Sequence, residues 1–143
     1  MLSCGQRWDA QRLVQVFAEI YGTLTPNGSN IQDLTYNPAL GLRLAVFDIM
    51  VDREFLPYAE ARAACAEMGL PFVPLLYEGP FERERVLALA DGRETVSGTS
   101  AHLREGIVIR PADQRDAEEI GRVVLKHVGA KYLTRGGDRT EYN

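Results

Sequence analysis

Residues 104–128, REGIVIRPADQRDAEEIGRVVLKHV, contain two apolar segments that predict a pair of β-strands. The first, Glu105–Arg110, is entered through a glycine, and the second, Arg122–Val128, alternates its side chains between two faces. The charged residues 112–121 are expected to connect them. Lys126 lies among apolar neighbours in the second strand, so its ammonium should reach an anion or water. A phosphate group would suit such a point charge on a flexible stem.

The rest of the chain alternates between strand and helix patterns. Three further strands are predicted, at 13–21, 42–51 and 72–77. Helices are predicted at 57–68, 82–90 and 129–135. In the second of these helices, Val86, Leu87 and Ala90 are expected to face inward. This succession indicates an α+β domain with antiparallel-rich sheets and two or three helices.

Composition limits the classes of protein that the chain can belong to. Its 143 residues have the size of one domain, which we expect to cover 1–143 with a frayed tail at 136–143. The net charge of −4 argues against a wholly basic nucleic-acid binder but leaves a local basic site open. No apolar run reaches the roughly 18 residues that span a bilayer. Two cysteines, Cys4 and Cys65, fit neither a disulfide framework nor a zinc site, so we expect a cytoplasmic protein without a membrane partner.

Three carboxylates and one aromatic ring are candidates for a site, each with an ordinary structural alternative. Asp48 lies inside an apolar strand, where it must meet water, a cation or backbone donors. Phe47 is either core or a stacking platform for a base. Glu19 is a surface carboxylate or a ligand-binding group. Glu105 stands at a strand entrance beside Gly106, which either allows a ligand to approach the backbone or simply forms a turn.

The order and spacing of five short stretches resemble the ATP-dependent RNA ligase family, part of the covalent nucleotidyltransferase superfamily with DNA ligases and mRNA capping enzymes. The stretches are FAEIYG at 17–22, IQDLTY at 31–36, VFDI at 46–49, REGIVIRP at 104–111, and VLKHV at 124–128 followed by KYL at 131–133. The IQDLTY stretch indicates the RNA ligase branch more than the DNA ligases. The resemblance implies a nucleotidyltransferase (ATP-grasp-like ligase) domain.

The resemblance also implies a role for each candidate residue. Glu19 corresponds to the third-motif glutamate, which contacts the nucleotide sugar or helps to place the metal. Phe47 corresponds to the aromatic residue that stacks on adenine, with Asp48 beside it as an implied metal ligand. Glu105 corresponds to the fourth-motif glutamate, which is tied to the divalent metal and the reacting phosphate. Lys126 corresponds to the fifth-motif lysine, which neutralises the α-phosphate, and the implied cofactors are ATP and Mg²⁺ or Mn²⁺.

Two features depart from the family pattern. In many relatives a second lysine lies two residues after the fifth-motif lysine, whereas here position 128 is valine and Lys131 is the remaining candidate for nucleotide binding. The family's nucleophile is the lysine of a Lys-x-Asp-Gly motif upstream of the third motif, and no lysine precedes Glu19. The chain is therefore expected to be the C-terminal portion of an adenylyltransferase domain: a truncated product, one piece of a split protein or a fragment.

The implied partners follow from that reading. They are ATP or AMP, RNA ends, and a second segment or chain that supplies the missing lysine. A non-catalytic nucleotide- or RNA-binding module and a degenerate scaffold are the alternatives.

Overall fold

The computed structural model describes residues 12–23, 41–98, 100 and 102–134. The IQDLTY stretch at 31–36 and the predicted tail at 136–143 lie outside these residues. The strands are β1 (Val14–Gly22), β2 (Leu42–Val51), β3 (Glu54–Phe55), β4 (Gly106–Ile109), β5 (Asp116–Ala117), β6 (Gly121–Arg122) and β7 (Leu125–Val128). The helices are α1 (Tyr58–Met68), α2 (Arg83–Ala90) and α3 (Ala130–Leu133). The predicted α+β class with antiparallel sheets is confirmed.

The largest sheet has the order β1-β2-β3, and α1 covers one of its faces. Three alkyl side chains of β2 meet three small side chains of α1 in a buried cluster of Val46, Ile49, Val51, Ala61, Ala64 and Cys65. The α1 members recur at the spacing of one helical face. The helix ends at Gly69, which adopts the left-handed conformation with φ 67°. This packing fixes β2, the strand that carries Phe47 and Asp48.

The remaining elements form two smaller sheets and a helix beside them. Strand β4 pairs with β7, and β5 pairs with β6. Helix α2 buries Val86 and Ala90, but Leu87 is exposed, so the prediction that Leu87 faces inward is wrong. Residue 87 lies about 100° around the helix from residue 86, outside the stripe that 86 and 90 define. Among the described residues, no helix has the length and apolar character needed to cross a membrane.

The predicted strand at 72–77 is wrong. The segment makes one parallel bridge, between Val46 and Phe72. Val46 donates its N–H to the carbonyl of Pro71, and Val73 donates to the carbonyl of Val46, both at 2.8 Å. Among the described residues the segment makes no further bridge to β2, so the pairing ends there.

The predicted connection at 112–121 and the predicted strand at 122–128 also need correction. Residues 116–122 form the β5–β6 hairpin, so Arg122 belongs to β6 and the last strand begins only at Leu125. The backbone N–H of Val123 donates to Arg115 at 3.0 Å. This bond continues the hairpin by one residue pair, so Val123 also pairs with the β5 side rather than with β4.

Asp52, in the turn after β2, accepts hydrogen bonds from the residues just before β1. Arg12 Nε donates to its carboxylate at 2.6 Å, and the backbone N–H of Leu13 donates at 3.0 Å. These hydrogen bonds, that from Arg12 foremost, hold the pKa of the Asp52 carboxyl below its ordinary value. A carboxylate with a depressed folded-state pKa stabilises the fold above its unfolded-state pKa, and this contribution disappears as pH falls through the folded-state value.

We therefore expect Asp52→Asn to reduce stability at neutral pH and to have no effect in acid below both pKa values. Urea unfolding of both proteins across this pH range measures the difference. Asp113→Asn is the control, because it removes an exposed carboxylate in a different loop. An equal stability difference between wild type and Asp52→Asn at every pH would contradict an electrostatic origin.

Candidate nucleotide site

Glu105 and Lys126 form an ion pair on neighbouring strands, which we call the acid–lysine pair. Lys126 lies opposite Val108 in the antiparallel β4–β7 ladder, and Glu105 directly precedes β4. Lys126 Nζ lies 2.5 Å from Glu105 Oε1, and the two side chains are 51% and 42% exposed. An ion pair this exposed contributes about 0–1 kcal/mol to stability. Breaking the ion pair therefore costs little free energy, and each of the two groups can bind a ligand from solution instead.

Two glycines set the position of Glu105. A Cβ at Gly106 would lie 2.1 Å from the backbone oxygen of His127, so only glycine allows β7 to approach this closely. The backbone N–H of Gly129, buried after β7, donates to the Glu105 carbonyl at 2.8 Å. The space beside Gly106 is thus filled by the neighbouring strand. No ligand can approach the backbone from that side, and Gly106 lies in β4 rather than in a turn.

Phe47 lies at a bulge in β2. Phe17 of β1 pairs with Asp48 and the next residue, Ala18, pairs with Val46, so Phe47 has no opposite partner on β1. Its side chain is 41% exposed, and its ring centroid lies 6.5 Å from that of Phe17. A bulge commonly re-aims a side chain in this way. The ring is accessible enough to serve as a stacking surface.

Asp48 meets cations, one of the three environments expected for it. Arg122 donates to both carboxylate oxygens, at 2.5 and 3.3 Å, and Arg110 Nη1 lies 3.5 Å from Oδ1. The Asp48 side chain is only 7% exposed. A metal at Asp48 would have to displace a guanidinium, and the described residues contain no cluster of three or more acidic, histidine or cysteine side chains suited to a metal.

The two arginines are site residues that sequence reasoning missed. Arg110 also donates from Nη2 to the carbonyl of Phe47 at 2.8 Å, and its Cζ lies 5.2 Å from the centre of the Tyr58 ring. Arg122 Cζ lies 3.9 Å from the centre of the Phe55 ring. One signal was present in the sequence: a carboxylate inside an apolar strand requires a cation, and both arginines border apolar strands.

The remaining two candidates, Glu19 and Lys131, lie on other elements of the fold. Glu19 is exposed on β1 opposite Ala45, and it shares the face of Phe17 because side chains two residues apart project to the same side. Glu19 therefore lies on the side of the sheet that bears Phe47. Lys131 is exposed in α3, and its backbone N–H donates to Asp91 Oδ1 at 3.0 Å.

The structure therefore assembles the candidates in two groups that β4 connects. One group is the acid–lysine pair at the start of β4, and the other is Phe47 and Asp48, which Arg110 contacts from the end of β4. Five residue steps of about 3.3 Å separate Glu105 from Arg110, so the two ends lie roughly 17 Å apart. The distance between Glu19 and either group stays a prediction.

Comparison with known families gives the assignment. The family model described as RNA ligase matches residues 2–128, most of the 143-residue chain. The chain belongs to the RNA ligase family, and the resemblance carried by its short stretches is confirmed. The match contains the candidates at 19, 47, 48, 105 and 126, whereas Lys131 lies beyond it. No curated protein and no solved structure matches the chain.

Proposed function

We propose that this chain is the phosphate- and metal-binding portion of an ATP-dependent RNA ligase, which joins RNA ends through adenylyl transfer. The observation that carries the proposal is the acid–lysine pair. A carboxylate just before β4 and an ammonium on β7 lie 2.5 Å apart and are both about half exposed, and together they form a ready site for a metal-bound phosphate. Membership of the RNA ligase family supports the same reading.

The chemistry of adenylyl transfer explains why these two groups stand together. The neutral amine of a lysine attacks the α-phosphorus of ATP, so that an N–P bond forms and the P–O bond to pyrophosphate breaks. Pyrophosphate leaves, and the nitrogen gives up a proton to solvent. Charge accumulates on the phosphoryl oxygens, and a fixed cation such as Lys126 stabilises it. Mg²⁺ bound beside Glu105 would neutralise further phosphate charge.

The donor set fits that metal. Mg²⁺ is usually held by one or two carboxylates together with substrate phosphates and water, rather than by an all-protein cage. Glu105 supplies one exposed carboxylate next to the expected phosphate position, whereas both Asp48 oxygens are engaged by arginine. Glu105 is therefore the proposed metal ligand.

The other candidates take roles around the base and the sugar. The half-exposed ring of Phe47 is proposed to stack on adenine, and Glu19, on the same side of the sheet, to contact the ribose. Lys131 is proposed as a peripheral phosphate contact, because its side chain projects from the exposed surface of α3.

Adenylyl transfer needs a lysine nucleophile, and no lysine precedes Glu105 in this sequence. The lysines are Lys126 and Lys131, and both follow Glu105. We propose that a second segment or a partner chain supplies the lysine that carries AMP. The same observation favours one alternative, a non-catalytic module that binds nucleotide or RNA through the retained phosphate site.

The chain is expected to bind Mg²⁺–ATP reversibly and to form no covalent AMP adduct. Lys126→Ala should weaken ATP binding roughly 10- to 200-fold, because hydrogen bonds from charged groups contribute about 1.5–3 kcal/mol. Isothermal titration calorimetry measures the affinity, and denaturing electrophoresis with α-labelled ATP detects any adduct.

Arg12→Ala is the matched control. It removes a cation from another exposed ion pair, with Asp52, and should leave ATP affinity unchanged. If Lys126→Ala binds ATP as tightly as wild type, the acid–lysine pair is not the phosphate site. A labelled band that Lys126→Ala abolishes would identify Lys126 as a nucleophile instead.

A further inference from the structure

At the bulge that exposes Phe47, a backbone carbonyl is hydrogen-bonded by a side chain from outside the β1–β2 ladder. Phe47 has no opposite residue on β1, so the regular ladder is interrupted at its position. Its carbonyl accepts a hydrogen bond from Arg110 Nη2 at 2.8 Å, across 63 positions of sequence. The Arg110 side chain thus provides a hydrogen bond to a carbonyl at the point where the regular ladder is interrupted. Arg110 thereby fixes the peptide that sets the direction of the Phe47 ring.

Arg110 is itself held by a buried charge. Its side chain is 15% exposed, and its guanidinium lies 3.5 Å from the carboxylate of Asp48, the residue after Phe47. Arg122 donates two hydrogen bonds to the same carboxylate. A third hydrogen bond, from Arg122 Nε to Gln114 Oε1 at 3.2 Å, orients its guanidinium. One carboxylate thus joins β2, the end of β4 and β6 in one network.

We propose that Asp48, Arg110 and Arg122 form a bulge clamp, which positions Phe47 for stacking on the nucleotide base. The clamp consists of positioning residues, and Asp48 acts through the arginines rather than as a metal ligand. Its role toward the base rests on the proposed function, whereas its role in fixing the bulge rests on the contacts alone. The two roles are therefore tested separately.

The first experiment needs no ligand. Arg110→Lys keeps the positive charge but loses the planar fork that reaches the Phe47 carbonyl and Asp48 together. Amide hydrogen exchange at residues 46–49 should become roughly 10-fold faster, as expected when one hydrogen bond to a charged donor is lost. Arg12→Lys makes the same replacement in the Arg12–Asp52 pair of the same sheet and should leave this exchange unchanged.

The second experiment separates base binding from phosphate binding. Arg110→Lys and Arg122→Lys should weaken Mg²⁺–ATP binding roughly 10-fold and leave binding of inorganic tripolyphosphate with Mg²⁺ within about 2-fold. Phe47→Leu should show the same split, because it removes the ring itself. Lys126→Ala should weaken both ligands, since it removes the phosphate cation.

Each other outcome overturns part of the proposal. Equal weakening of ATP and tripolyphosphate by the arginine variants would place the cluster at the phosphate or the metal. Unchanged exchange at 46–49 in Arg110→Lys would show that the cluster does not hold the bulge, with or without ligand.

If the wild-type chain binds neither ligand, the proposed function and the base-positioning role fall together, and the exchange result still decides whether the clamp fixes Phe47. Asp48→Asn serves as a further variant if it folds, and Arg122→Lys preserves the test if it does not.

Discussion

Gly106→Ala is expected to lower the free energy of unfolding by roughly 2–4 kcal/mol. The added Cβ would lie 2.1 Å from the backbone oxygen of His127 and 2.8 Å from the Cα of Val128. Both obstacles belong to backbone, so β7 can relieve the overlap only by moving away from β4. That movement breaks the four-residue ladder and separates Glu105 from Lys126. The melting temperature should fall by roughly 6–12 °C.

Gly92→Ala is the matched control for this prediction. Its nearest obstacle is Arg104 Nη1 at 2.9 Å, the far end of a side chain whose displacement costs one hydrogen bond to the Leu89 carbonyl rather than a strand pairing. Differential scanning calorimetry should therefore show a much smaller fall in melting temperature for Gly92→Ala. If the two variants melt at the same temperature, close strand approach is not the reason for glycine at 106.

Local patterns predicted most elements because their causes are local. The apolar run of β2 and the spacing of small residues in α1 depend only on near neighbours in sequence, and both predicted ranges agree with the structure to within one residue. The extent of the predicted strand at 72–77, by contrast, depends on how that segment lies against β2, which is not a local property. A single parallel bridge between Phe72 and Val46 replaces the predicted strand.

The site was predicted in part for the same reason. A lysine inside an apolar strand predicts a nearby anion, and Lys126 forms an ion pair with Glu105. A carboxylate inside an apolar strand likewise predicts a nearby cation, but the pattern does not identify the residue that supplies it. Arg122 lies 74 positions from Asp48, and no local pattern selects it among the arginines. The bulge at Phe47 depends on the register between two strands, which sequence alone does not specify.

Lys126→Ala should slow adenylyl transfer roughly 10- to 200-fold in an enzyme to which the upstream lysine segment has been restored, in one chain or by a partner. The substitution removes a cation from beside the reacting phosphate, where charge grows in the transition state. Lys126→Arg keeps the charge but changes its reach and shape, so it should recover only part of the rate. Single-turnover formation of labelled enzyme–AMP measures the chemical step.

Stability separates this catalytic loss from a structural one. The Lys126 side chain is 51% exposed, so the loss of its ion pair with Glu105 should cost less than about 1 kcal/mol. Lys126→Ala should therefore melt close to wild type, whereas Gly106→Ala should not, although both disturb the same strand pair. Arg12→Ala, which opens a remote ion pair, should retain the parental rate of adenylyl transfer. If the restored enzyme with Lys126→Ala forms enzyme–AMP at the parental rate, Lys126 does not contact the phosphate, and the acid–lysine pair is a surface ion pair without a catalytic role.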